Sequence, residues 1–149
     1  EDLRKGIIGI VGESPPTIPL RDYDLMANAR PYRLQRDLNL PPGHMIDDLV
    51  AGKIDVAIIW GPLGGYYAKK AKEPLVVVPL PEFKSERNSL DTQKGKAEFN
   101  ISLAVRKKDK DRMEVIQGAL DRNQSKILKI LDDYGIPHVP VVLGDKTGN

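Results

Sequence analysis

The sequence predicts an α/β fold: a lobe of a three-layer sandwich, its sheet mostly parallel with helices on both faces, followed by a C-terminal strand and a long helix. Three observations predict it. Short apolar runs recur at 6–12 (GIIGIVG), 55–59 (DVAII) and 75–80 (LVVVPL), the pattern of strands buried on both faces. Helix-like segments with stop signals separate these runs, as crossovers between parallel strands require. After a polar stretch at 81–98, one long amphipathic segment follows.

Taken in order, residues 6–12 are bounded by glycines and read as the first buried strand. A helix is expected from about 17 to 29, with Ser14 or Thr17 as cap, Pro19 in its first turn, and Leu20, Leu25 and Met26 inward. Residues 32–37 (YRLQRD) alternate apolar and polar, which predicts a half-exposed strand. After the 41–43 loop (PPG), residues 44–51 form a short helix with Met45, Ile46, Leu49 and Val50 inward, and Gly52 closes it in a left-handed conformation. The 55–59 strand runs into Trp60-Gly61-Pro62 and a Gly64-Gly65 turn, then a helix over 64–72 that Pro74 ends. Residues 75–80 are the next buried strand, and 99–105 (FNISLAV) another after the polar linker. The final helix spans about 111–134, with Met113, Ile116, Leu120, Ile127, Leu128 and Leu131 as its apolar stripe and Gly135 as its cap. The remaining tail reads as irregular.

Composition narrows the function. A chain of 149 residues suffices for one ordinary core. The formal charge of +2 gives no bias toward nucleic acid. The charged run 106–112 (RKKDKDR) alternates in sign and reads as a solvated turn and helix start. The absence of cysteine excludes disulfides and thiol chemistry. No apolar run reaches the ~18 residues of a membrane-spanning helix. The chain begins EDLRKG, with neither Met nor an apolar signal segment, so it reads as a processed chain or a piece of a longer one.

No enzyme centre is legible. His44 and His138 each lack a Cys or acidic partner at metal spacing. Asp47 and Asp48 are adjacent and cannot face one another on a helix. Gly6, Gly9 and Gly12 are spaced for a strand and its exit, not for a phosphate-binding turn. The expectation is a non-catalytic protein with no cofactor and no metal.

Two places have the chemistry of a binding site, both after strands, where helix N-termini in open parallel sheets point free N–H groups outward. One is the 12–17 turn, where Ser14 and Thr17 offer hydroxyl donors; plain helix capping also explains Ser14, and Glu13 opposes an anion. The other is Trp60, Gly61, Gly64, Gly65, Tyr66 and Tyr67. Its glycines permit close backbone approach, and its aromatics supply apolar area with a polar handle. Aromatic packing over the sheet end is the competing explanation.

The order GIIGIVGESPPT, LMANARPY, MIDDLVAGKIDVAIIWGPLGGYYAKKA and PLVVVPL, with a looser match through FNISLAVRK and ILDDYGIP, resembles the quinoprotein dehydrogenase-associated solute-binding proteins, the MxaJ/XoxJ type. DDLVAGKIDVAIIWGPLGGYYA is the specific part; the alternation of strands and helices alone would suit any type 2 periplasmic binding protein. The resemblance implies two α/β lobes around a cleft. Residues 1–80 would be the second lobe, with 75–80 its return hinge. Residues 81–98 would be the linker, and 99–149 a strand and helix of the first lobe, the remainder of which is absent. Amino-acid-binding relatives carry an Asp just after the strand matching 55–59. Here that region reads Trp60-Gly61-Pro62, which suits a protein segment or apolar ligand instead. The implied role is periplasmic: assisting maturation or activation of a PQQ-dependent methanol or alcohol dehydrogenase by protein–protein binding. The alternative is a transporter's solute receptor with a small organic ligand between its lobes. Self-association is expected wherever the face owed to the first lobe is bare.

Overall fold

The computed structural model describes residues 3–12, 14, 16–33, 41–80 and 100–140. Three strands, β1 (Ile8–Val11), β2 (Ala29–Tyr32) and β3 (Val56–Ile58), form a parallel sheet in the order β2-β1-β3. Ile8 of β1 faces Ala29 on one side and Val56 on the other, so the central strand is the first in sequence. Among the described residues four α-helices accompany the sheet: α1 (Thr17–Asp22), α2 (His44–Val50), α3 (Gly61–Lys70) and α4 (Lys110–Asp133). The α/β class and the parallel sheet expected from the sequence are therefore present.

Strand alternation sorts the core into two layers. Ile8 and Ile10 pack with Leu20 of α1 and with Leu25, joined by Ala29 and Ile58. On the opposite face Tyr32, Met45 of α2 and Ile54 form a second cluster with Val11, Leu49 and Ala57. Gly9 explains how closely α2 covers that face: a Cβ there would lie 2.5 Å from Ile54 Cδ1, 3.2 Å from Tyr32 Cε2 and 3.3 Å from Met45 Cγ. The sheet is also pinned at its lower end, where the Ile7 amide donates to Asp55 Oδ2 at 2.7 Å. Asn28 Nδ2 donates to the carbonyls of Arg4 (2.8 Å) and Gly6 (3.1 Å).

Three helices end by the same device, a left-handed residue with paired reverse hydrogen bonds. Gly52 (φ 69°) closes α2 and Gly135 (φ 72°) closes α4, both as expected. After α2 the Lys53 amide reaches the Asp48 carbonyl at 2.9 Å, and after α4 the Ile136 amide reaches Leu131 at 2.9 Å. The third case corrects the predicted 17–29 helix. Asp24 adopts φ 57° and the Leu25 amide donates to the Leu20 carbonyl at 2.7 Å. This stops α1 at Asp22, and a short 3₁₀ turn, Met26–Asn28, follows. Leu20 and Leu25 are buried as expected, whereas Met26 is exposed.

Other boundaries differ too. β2 begins at Ala29, three residues before the predicted 32–37 strand, and residues 34–37 lie outside the described ones. Pro31 is tolerated because β2 is an edge strand of this sheet. The expected Gly64-Gly65 turn is helix interior: α3 starts at Gly61, with Pro62 in its first turn where a missing N–H costs nothing. The expected buried strands at 75–80 and 99–105 are not found. Residues 75–80 and 100–105 carry no strand pairing, and Val76 is 90% and Ile101 77% exposed; Phe99 lies outside the described residues. α4 falls within a residue of its expected span but buries none of its side chains, and Met113, placed inward from the sequence, is exposed. The linker at 81–98 and the tail from 141 lie outside the described residues.

Candidate functional site

The strand order β2-β1-β3 creates a switch point. The chain leaves β1 toward β2 on one side, while β3 lies on the other, the arrangement whose carboxyl-end rim holds ligands in open parallel sheets. Both sequence-predicted sites lie on this rim.

On the β1 side, the hydroxyls are spent on the backbone. Ser14 Oγ donates to the Val11 carbonyl at 2.5 Å, and Thr17 Oγ1 donates to the Ser14 carbonyl at 2.6 Å. Neither caps α1: Pro16 occupies the cap position with no side-chain hydrogen bond. Both side chains instead tie the turn to the strand it leaves, and their free capacity is as acceptors.

On the β3 side, Trp60 stands at the N-cap of α3 with extended backbone (φ −58°, ψ 129°). Its carbonyl accepts from the amides of Leu63 (3.0 Å) and Gly64 (2.9 Å), so its main chain belongs to the helix's first turn. Its side chain is 50% exposed, which is unusual for a sheet-end tryptophan. Among the described residues no hydrogen bond or ring contact joins Ser14 or Thr17 to Trp60.

The rim glycines serve the chain's own packing. A Cβ at Gly65 would lie 2.0 Å from the Gly135 carbonyl oxygen and 2.8 Å from Pro137 Cδ; one at Gly61 would lie 3.1 Å from Pro137 Cγ. One at Gly64 would strike Ile59 Cγ2 at 2.7 Å. Gly61 and Gly65, four apart, form a notch on one face of α3 that receives the turn after α4. Lys69, at the other end of α3, donates to the carbonyls of Asp132 (3.1 Å) and Asp133 (2.7 Å), a cation placed where the α4 dipole is negative.

The two tyrosines diverge. Tyr67 lies against Gly43, where a Cβ would come within 2.2 Å of its ring, and so fixes α3 against the start of α2. Tyr66 meets Tyr67 edge-on at 5.1 Å and stacks on Tyr134 at 5.8 Å with a 19° interplanar angle. The Lys70 ammonium sits 4.3 Å from the Tyr66 ring centroid and donates to its hydroxyl, a bond that raises the lysine's pKa. Tyr66, Lys69, Lys70, Asp133 and Tyr134 line an open groove of about 340 Å³. The sequence placed none of Lys70, Tyr134, Gly135 and Pro137 at this site, Gly135 being expected only as the cap of the last helix; the i, i+4 glycines were the one signal for the notch.

A polar network braces this rim from below. Tyr32 Oη donates to Asp48 Oδ2 at 2.8 Å, and Lys53 Nζ donates to Asp48 Oδ1 at 2.7 Å. The Lys53 bond, then the Tyr32 bond, holds the Asp48 carboxyl below its usual pKa; burial, then Asp48, pushes the Tyr32 phenol up. Asp48 is thus a paired structural carboxylate. His44 packs its ring 5.1 Å from that of Tyr32, while His138 Nε2 is 3.0 Å from Asp132 Oδ1. Among the described residues, no cluster of three or more His, Cys, Asp or Glu side chains is arranged to hold a metal ion, and no helix is long and apolar enough to cross a membrane.

The chain is similar to Protein MoxJ of Methylorubrum extorquens. The two are 28% identical over 102 residues, which is 68% of this chain and 33% of MoxJ. The match thus spans about a third of the length of this curated relative. No family model matches, and no solved structure matches.

Proposed function

We propose that this chain is part of a MoxJ-like, non-catalytic accessory protein of methanol oxidation, acting in the periplasm. It would assist maturation or activation of a PQQ-dependent methanol or alcohol dehydrogenase by binding it. The observation that carries this reading is the 102-residue likeness to MoxJ. The rim is consistent with it: an exposed Trp60 and a Tyr66–Tyr134 stack offer the rigid aromatic area typical of protein contacts. The Ser14 and Thr17 protons are committed to backbone carbonyls, leaving no hydroxyl donors there for a small anion.

On the same reading, residues 1–80 are the second lobe, 81–98 a linker and 99–149 a segment of the first lobe. The exposed apolar side chains at 76–78 and 101–103 are the surface that such a division leaves for the first lobe to cover.

The test is binding of this chain to a purified quinoprotein methanol dehydrogenase, read by surface-immobilised kinetics. Saturable binding is expected, weakened about tenfold or more by Trp60→Ala, the loss of an aromatic anchor of at least ~1.4 kcal/mol. Trp60 is the cleaner probe, since Tyr66→Ala also removes the stack with Tyr134. Failure to bind both calcium- and lanthanide-containing dehydrogenases would refute the reading, and unchanged affinity of Trp60→Ala would remove the rim from it.

A further inference from the structure

We infer that the turn after α4 is the seat that positions Trp60, with Pro137 as its positioning residue. The inference rests on the reading of the Trp60 rim as a contact surface and names what holds that surface in place.

The Trp60 carbonyl accepts from Leu63 and Gly64, so wherever the first turn of α3 goes, Trp60 goes with it. That turn has little side-chain mass of its own, being Gly61-Pro62-Leu63-Gly64-Gly65. What lies behind it is the Pro137 ring, seated against Gly61 and Gly65. The ring is held in turn. The Gly135 amide donates to Asp132 and the Ile136 amide to Leu131, both at 2.9 Å, and His138 Nε2 is 3.0 Å from Asp132 Oδ1. Lys69 and the Tyr66–Tyr134 stack fasten the same end of α4 to the far end of α3. α4 buries no side chain anywhere, so these contacts at its C-terminal end, and not core packing, fix it to α3. Two segments some 75 residues apart in sequence thereby form one surface.

Glycine is required on both sides of the seat. Gly135 is left-handed, and a Cβ on it would come within 3.0 Å of the Gly65 carbonyl oxygen. Gly65 faces the Gly135 carbonyl at a distance that admits no methyl group.

The test uses the full chain and its single tryptophan. Pro137→Ala removes the ring behind α3; Gly65→Ala forces the turn off its notch; Pro137→Val restores branched bulk and serves as the rescue. The readouts are Trp60 emission with acrylamide quenching, and amide exchange at Leu63 and Gly64, whose N–H groups bond the Trp60 carbonyl. Pro137→Ala and Gly65→Ala are expected to red-shift Trp60, increase its quenching and speed exchange at those amides about tenfold, with the far-UV circular dichroism of the sheet retained and Pro137→Val closer to wild type. Should Gly65→Ala fail to fold, Pro137→Ala alone decides. Unchanged emission and exchange in Pro137→Ala overturns the inference, whatever happens to partner binding. If Trp60 moves as expected but dehydrogenase binding is unaffected, the seat stands and it is the functional reading of the rim that falls.

Discussion

Gly9 is the one glycine within the described strands, and the cost of filling it can be worked from the structure. A methyl group there would sit 2.5 Å from Ile54 Cδ1, with Tyr32 Cε2 and Met45 Cγ behind it at 3.2 and 3.3 Å. Carbon atoms in contact prefer ~3.5–4.0 Å, so the overlap with Ile54 is about 1 Å. Ile54 is 1% and Met45 2% exposed, which leaves Ile54 no free volume to swing into. Overpacking of this kind costs about 1–3 kcal/mol. Gly→Ala offsets ~0.4–1 kcal/mol by restricting the unfolded chain. Gly9→Ala should therefore destabilise by about 1–2 kcal/mol, lowering the urea midpoint by roughly 0.5–2 M for a slope of about 1–2 kcal/mol/M. Gly12 is the internal control. Among the described residues the nearest atom to its Cβ position is the Tyr32 carbonyl oxygen at 4.0 Å, so Gly12→Ala should be neutral or slightly stabilising. Equal midpoint shifts for the two variants, at unchanged slope, would refute the account of α2 closing over β1.

Three further outcomes are expected. Tyr32→Phe removes a donor to a carboxylate that keeps its Lys53 partner, and should cost about 1–2 kcal/mol by urea titration. Because the folded-state pKa of Asp48 is depressed, its contribution is complete above the unfolded value of ~3.9 and is lost as pH falls through the folded value. The stability gap between wild type and Asp48→Asn should therefore be flat from neutral pH down to about pH 5 and shrink below pH 4, and a gap that widened on acidification would contradict this pairing. Hydrogen exchange should grade along α4, fast over its first half and slower near 131–136, where the capping bonds, Lys69 and the Tyr66–Tyr134 stack hold it.

Which features the sequence revealed follows from how locally each is determined. The caps at Gly52 and Gly135 were legible because glycine announces a left-handed residue, whereas Asp24 makes the same turn without that signature and so α1 looked longer than it is. β2 was misplaced because its register is set by pairing with β1, not by its own pattern; ARPY has no alternation and contains a proline. The Val-rich 75–80 run reads as a buried strand from composition, yet burial needs a neighbour, and among the described residues none pairs with it. Of the candidate site, the aromatic identities and the rim location were readable. The partners of Gly61, Gly65 and Tyr66 were not, since they come from residues 134–137, about 70 positions away.

These distant partners limit what the rim residues can do. Glycines beside aromatics suggest a ligand approaching the backbone, and the sequence admitted that reading for Gly61, Gly64 and Gly65. The space over Gly61 and Gly65 is already filled by Pro137 and the Gly135 carbonyl, and that over Gly64 by Ile59. Tyr67 is likewise committed, to Gly43. What remains outward-facing is Trp60, the Tyr66–Tyr134 stack and the Lys70 ammonium. These are large, rigid groups with one cation and two phenols, placed on helix ends that are locked to each other. Such a set suits a broad complementary surface better than an enclosed solute, because Tyr66, Tyr134 and Lys70 line an open groove and not a closed cavity, and Trp60 is half exposed. The glycines then serve not as an open approach to the backbone but as the reason Tyr66 and Tyr134, from two distant segments, come together.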